Sequence, residues 1–292
     1  MTSARTHCVL CGSQKVSPRY DVPGLSIWEC ADCRLVFNAI SQQNEFDARS
    51  YYSADYYDER KDYYTAEDAS QKSFREKVES FHVGLDLLEK YKPTRGRILD
   101  VGCGFGTFLI VAKERGWNIS GIDISQHAAS VASKRAGTNV LSGEMRDAGF
   151  CEKEFDAVSF NDAFEHFVDP NEQLQHTYRI LKSDGVLFLN TPNQQSLLRL
   201  VADVIYRLSA GTITYPVRKL YHEFHLFYYS EDNLREILEK NGFETLEITR
   251  KTIPAIKARG TQLERLIVRF FSQLERLAHR EFELLAVARK RE

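Results

Sequence analysis

The chain has 292 residues, 43% hydrophobic and 27% charged, with a formal net charge of −2. That length allows one large domain with a small appendage, and the charge leaves no basic excess to neutralise nucleic-acid phosphates. No apolar run approaches the ~20 residues of a membrane span, and the opening MTSARTHC lacks an apolar signal segment, so no transmembrane segment and a cytoplasmic location are expected.

Residues 1–45 carry Cys8, Cys11, Cys30 and Cys33, two C-x2-C pairs separated by eighteen residues. Two close thiolate pairs on knuckle turns can complete a tetrahedral zinc site, and four sulfur ligands close the shell, as in a structural rather than a catalytic site. Gly12 after Cys11 suits the tight knuckle. A segment this small and this poor in apolar residues needs such a staple to fold. A small zinc ribbon is expected here, shaping a lip of a substrate site or holding a partner.

Residues 46–95 form a lead-in. Tyr51, Tyr52, Tyr56, Tyr57, Tyr63 and Tyr64 crowd together among Asp55, Asp58, Glu59 and Asp62. They read either as half-buried packing with the hydroxyls at the surface, or as a flap. Phe74, Val78, Phe81, Leu85 and Leu88 then recur at helical spacing, as in a helix covering the sheet edge.

From residue 96 onward strands and helices alternate, which predicts a doubly wound α/β fold with a parallel sheet. Ile98, Leu99 and Val101 read as a buried strand, followed by Gly102, Gly104 and Gly106 and by a helix from Thr107. A strand turning through glycines into a helix N-terminus forms a concave site that lets a ligand approach the backbone. A second strand ends at Asp123 and Ile124, about twenty residues on, where such folds place a carboxylate for a ribose diol. Further strands are expected near Val140–Leu141, Phe155–Phe160 and Val186–Asn190, with helices near Ser125–Arg135 and Asn171–Leu181.

The run ILDVGCGFGT, with Asp100 ahead of the glycines and Asp123 downstream, resembles the first motif of class I S-adenosylmethionine (SAM)-dependent methyltransferases. The resemblance implies a seven-stranded Rossmann-like sheet whose last strand runs antiparallel. It places Asp100, Gly102, Cys103, Gly104 and Gly106 beside the methionine part of SAM, and Asp123 with Ile124 at the ribose. The loop SGEMRDAGF then brings Glu144 and Met145 past the adenine. The third glycine comes one residue too early for a nicotinamide fingerprint.

The fourth strand ends in SFNDAFEHFVDP, with Asn161 and Asp162 at the crevice end of the strand, where the methionine end of SAM and the acceptor are expected to meet. The string EHFVDP resembles the segment found there in small-molecule methyltransferases, including those of quinone biosynthesis. His166, beside Glu165, is the candidate general base, since a neutral imidazole takes a proton near pH 7. The other reading is a histidine packed at the sheet edge.

Residues 193–229 interrupt the fold after NTPN. Apolar residues cover most of a helix surface from Leu197 to Leu208, with Arg199, Asp203 and Arg207 in a narrow polar stripe. A lid over an acceptor, a helix resting on a bilayer, or packing within the protein would each give that stripe, and packing is the default. His222 and His225, in YHEFHLFYYS, are further candidates for the rim of the active site. No neighbouring ligand in the sequence completes a metal set around them. A helix from Ser230 ends at Asn241-Gly242. Phe243–Thr249 and Phe282–Ala288 read as the last strands, and the apolar face from Leu263 to Leu277 between them covers the core or a homodimer surface.

The expectation is therefore a SAM-dependent methyltransferase with a small-molecule acceptor. Chains joining a four-cysteine ribbon to this core resemble enzymes of surface-polysaccharide or secondary-metabolite pathways, which implies an oxygen of a sugar or sugar-linked intermediate. A quinone-like phenol is the alternative acceptor. A non-catalytic SAM-fold protein that binds a partner is the alternative class.

Overall fold

The computed structural model describes residues 7–39, 51–52, 72–222, 224–252 and 262–291. Most of the Tyr-rich segment, including Tyr56, Tyr57, Tyr63 and Tyr64, lies outside them.

A seven-stranded sheet organises the molecule. Its strands are β4 (Arg97–Val101), β5 (Asn118–Asp123), β6 (Val140–Ser142), β7 (Phe155–Asn161), β8 (Leu181–Pro192), β10 (Phe243–Lys251) and β11 (Glu283–Lys290), in the order β10-β11-β8-β7-β4-β5-β6. β4 pairs in parallel with β5 and β7, and β11 runs antiparallel to both β8 and β10. The final strand thus inserts between its neighbours, as the resemblance implies. Alternate residues of the central strands fill two cores. Leu187 and Leu189 of β8 join one, and Val186 and Phe188 the other.

Helix α1 (Lys72–Tyr91) buries Phe81, Leu85 and Leu88. It was expected at the sheet edge, but it crosses the face over β8 and β11, where Gly84 leaves room for the ring of Phe188. α2 (Thr107–Glu114) shares that face, and α3 (Gln126–Ala136) packs on α2. Ser125 caps α3 by accepting from the Ala128 amide, as expected. α4 (Pro170–Ile180) is capped by Asp169 and α7 (Glu231–Lys240) by a Ser230/Asn233 capping box.

The N-terminal strands β1 (Val16–Val22), β2 (Leu25–Cys30) and β3 (Val36–Asn38) form a second sheet. Its fourth member, β9 (Phe227–Tyr228), comes from the far end of the insertion and pairs antiparallel with β3. Tyr20, Val22, Leu25 and Ile27 share a core with residues of α5 (Leu197–Leu208) and α6 (Tyr215–Leu220). Cysteine segment and insertion therefore pack as one body.

The polarity of α5 is the reverse of the default expectation. Arg199 is 2% exposed and Asp203 9%, whereas Leu200, Val204 and Leu208 face outward, Leu208 being 84% exposed. The polar stripe turns inward because the ribbon sheet supplies partners for it. Asp203 accepts from Arg19, 3.2 Å away, and from the Tyr20 hydroxyl at 3.1 Å. Arg199 donates to the carbonyls of Asn193 and Leu220 and lies against the rings of Tyr221, Tyr228 and Phe282. The last helix, α8 (Gln262–Ala278), packs on α5 and leaves Phe270 and Leu277 exposed. Among the described residues, no helix is long and apolar enough to cross a membrane.

These contacts predict unequal effects along one stripe. Asp203→Ala takes an acceptor from the buried Tyr20 hydroxyl and leaves Arg19 with Glu29 as its remaining carboxylate, and should cost about 2–3 kcal/mol. Arg207→Ala removes an exposed cation from a carboxylate that keeps Arg19 and Tyr20, and should cost at most about 0.5 kcal/mol. Denaturant midpoints of the two variants measure the contrast.

Candidate active site and cysteine cluster

The glycine turn is pinned from below. The amides of Gly102 and Cys103 both donate to the Ile122 carbonyl, at 2.8 and 3.2 Å. Gly102, Gly104 and Gly106 all have positive φ. A Cβ on Gly102 would meet the Ala163 methyl at 2.8 Å, and one on Gly106 would stand 3.0 Å from Ala132, so side chains are excluded at both places. The Gly104 amide donates to Asp123 Oδ2 at 2.8 Å, and the Ser125 amide to Oδ1 at 2.9 Å. Asp123 thereby ties the end of β5 to the glycine turn.

Asp100 lies behind the turn, 1% exposed. It accepts from Ser159 Oγ at 2.8 Å and from Asn161 Nδ2 at 3.0 Å. Burial pushes its carboxyl up to about 7, against the pull of those two hydrogen bonds. Asp100 and Asn161, expected at the site from two separate motifs, thus hold each other. Cys103 directs its sulfur into the core over Gly121, where burial raises the thiol, so this residue offers a ligand only its backbone. Ile124 is half-buried beyond Asp123. In the loop after β6, Glu144 pairs with Arg146 at 2.6 Å, while Met145 is buried in the core with Val101 and Ile122.

The opposite wall begins at the end of β7. Asp162 takes a φ of 52°, and its amide donates to the Asn190 carbonyl. The chain then makes a single 3-10 turn over Phe164–His166. Glu165 is buried and accepts from Thr191 Oγ1 at 3.0 Å, and its carbonyl takes the Leu226 amide at 2.9 Å. His166 Nδ1 stands 2.8 Å from the Phe224 carbonyl. A carbonyl only accepts, so Nδ1 carries the proton and Nε2 keeps its lone pair in the neutral ring. Burial pulls His166 below its ordinary value of 6.5, with the Phe224 carbonyl opposing.

His225 packs edge-on against His166, ring centres 4.7 Å apart. Potential ligand atoms of Glu165, His166 and His225 all lie within 4.8 Å of one another. The fold thus brings to His225 the neighbours that the local sequence lacks, while His222 stays exposed at the rim, its ring 5.2 Å from that of His225. Tyr52 closes the gap between the walls. Its ring packs with Phe105 of the glycine turn, and its hydroxyl is 2.9 Å from His166 Nδ1. Tyr51 stacks on Phe224. Tyr52 belongs to a recognisable tyrosine cluster, whereas Phe224 and Thr191 lie inside the strings YHEFHLFYYS and NTPN without being singled out there.

The four cysteines converge. Cys8 and Cys33 sulfurs are 3.5 Å apart, Cys11 and Cys30 3.6 Å, and all four lie within 4.8 Å of one another. Each pair sits on a matching knuckle. Gly12 N donates to Cys8 O and Arg34 N to Cys30 O, with φ of 74° at Gly12 and 63° at Arg34. Four thiols on two such turns suit a tetrahedral cation. The cluster is fastened to the main domain by Asn233 Nδ2 on the Cys33 carbonyl and Lys240 Nζ on the Leu10 carbonyl, both at 2.7 Å.

Residues 74–248 match the family model described as a methyltransferase domain. A ubiquinone biosynthesis O-methyltransferase of Actinobacillus pleuropneumoniae serotype 5b is 32% identical over 141 residues, covering 45% of this chain and 58% of that protein. The mitochondrial enzyme of the same name from Rattus norvegicus is 34% identical over 164 residues, covering 52% of this chain and 45% of that protein. The chain spans about half the length of these curated relatives. Among solved structures, the magnesium protoporphyrin IX methyltransferase of Synechocystis PCC 6803 with bound SAH superposes with a TM-score of 0.57 at 17% identity. That match covers 83% of this chain and 97% of that one, and at this identity it shows the shared fold.

Proposed function

The chain belongs to the methyltransferase-domain family, and from that premise we propose that it transfers a methyl group from SAM to a hydroxyl oxygen of a small, phenol-type acceptor. The observation that carries this reading is His166, a base-competent imidazole whose Nδ1 is committed to the Phe224 carbonyl and which Tyr52 links to the glycine turn.

The residues present suit SAM. Asp123 holds the Gly104 amide with one oxygen and the Ser125 amide with the other, which fixes its carboxylate at the end of β5, where such folds bind a ribose diol. The glycine turn lets a ligand lie against the backbone, and Asp100 and Asn161 stiffen the turn from behind. When bound, SAM supplies a methyl carbon made electrophilic by its sulfonium. The protein's share is alignment, exclusion of water and disposal of one proton. His166 Nε2 takes the acceptor's hydroxyl proton, and the Phe224 carbonyl stabilises the imidazolium through Nδ1–H. Glu165, buried beneath, lies close enough to steady that charge. Tyr51, Tyr52 and Phe224 offer aromatic walls to a flat acceptor. That lining, with the O-methyltransferase activity for which the relatives are named, favours a phenol over the sugar oxygen expected from the ribbon.

The zinc reading of Cys8, Cys11, Cys30 and Cys33 is part of the proposal. The closed four-sulfur shell gives the ion a structural task, holding β3 and with it β9.

Two measurements follow. Methyl transfer assayed against catechols and sugar nucleotides should proceed with the catechols. It requires neutral His166, so kcat/KM should fall with acid along a limb below pH 6.5, set by the lowered imidazole. His166→Gln should lower kcat by about a hundredfold or more and remove the limb, whereas SAM binding with no transfer to any acceptor would favour the non-catalytic alternative. Metal analysis should find about one zinc per chain, lost in Cys11→Ser together with several degrees of thermal midpoint. Metal-free protein with an unchanged midpoint would refute the zinc assignment.

A further inference from the structure

We propose that the outer faces of α5, α6 and α8 form a docking surface for an anionic lipid bilayer. Three helices contribute. α5 exposes Leu200, Val204 and Leu208 at successive turns, the segment leading into α6 exposes Ile213 and Tyr215, and α8 exposes Phe270 and Leu277. α5 packs on both α6 and α8, and the Leu197 amide at its start donates to the Arg280 carbonyl just beyond α8. Single exposed apolar residues are ordinary on any protein; seven on three adjoining helices and the turn between two of them are a patch.

Charge identifies the occupant. Residues 197–220 contain one carboxylate, Asp203, and it is buried against Arg19 and Tyr20. Their exposed charges are all cationic: Arg218 and Lys219, and Arg207, which also pairs with Asp203 at 2.8 Å. The C-terminal half of α8 repeats the arrangement. Glu275 is buried, and Arg276 and Arg280 are exposed near its end. α5 and this half of α8 thus each turn a carboxylate inward and present apolar side chains flanked by basic ones. That combination fits acyl chains beneath anionic headgroups. A second copy of the chain would set like charges against each other across a two-fold contact, which costs affinity. Since no described helix is a candidate to span a membrane, the contact is with the surface layer. The α5 and α6 part of the patch lies on the insertion that carries His225, so docking would bring the acceptor side of the molecule to the bilayer.

Co-sedimentation with phosphatidylcholine vesicles, with and without phosphatidylglycerol, tests the assignment. The full chain should bind the phosphatidylglycerol vesicles and be released by high salt. Leu208→Glu and Leu277→Glu should each weaken that binding about tenfold or more, with unfolding midpoints unchanged as the control for folding. Absence of vesicle binding, or binding that neither substitution weakens, overturns the proposal. So does a dimer in solution that both substitutions dissociate, which would give the face to a second copy.

Discussion

The Asp123 carboxylate is the contact on which the site depends. One oxygen holds the Gly104 amide and the other the Ser125 amide, so the ends of two adjacent parallel strands share a single anchor. The glycines can keep positive φ and lie against Ala163 and Ala132 because the turn is fastened in this way and by the Ile122 carbonyl below. Everything on the opposite wall is referred to that turn. Gly102 abuts the segment leading to Glu165 and His166, and Tyr52 reaches from Phe105 to the imidazole.

The second wall has a more distant support. β9 continues the cysteine-bearing sheet, and the residue before it, Leu226, donates to the Glu165 carbonyl and accepts from the Asn38 amide. Phe224 and His225 are therefore positioned between the ribbon and the 3-10 turn of His166. A cation at the four cysteines would stabilise the acceptor side without touching the reacting atoms, which gives a structural metal a reason to stand in a chain of this family.

Sequence legibility followed the range of the interactions. Strand β4, the glycine turn and the Ser125 cap depend on residues a few positions apart, and their pattern predicted them. The two knuckles were equally readable, since C-x2-C is a local geometry. The polarity of α5 was not, because the partners of Asp203 lie 183 residues away at Tyr20 and nearby at Arg19; a helical stripe reports amphipathicity but not which side faces the protein. β9 has two residues and makes no periodic signal. Spacing also placed Cys103 and Met145 at the crevice without giving their direction, and packing turned both side chains inward.

The central claim is that this turn and Asp123 bind SAM. Calorimetric titration of the chain and of Asp123→Ala tests it most directly. The account predicts micromolar binding by the native chain, weakened about tenfold or more in the variant by loss of the carboxylate's hydrogen bonds. No binding by the native chain, or equal binding by both, would contradict it.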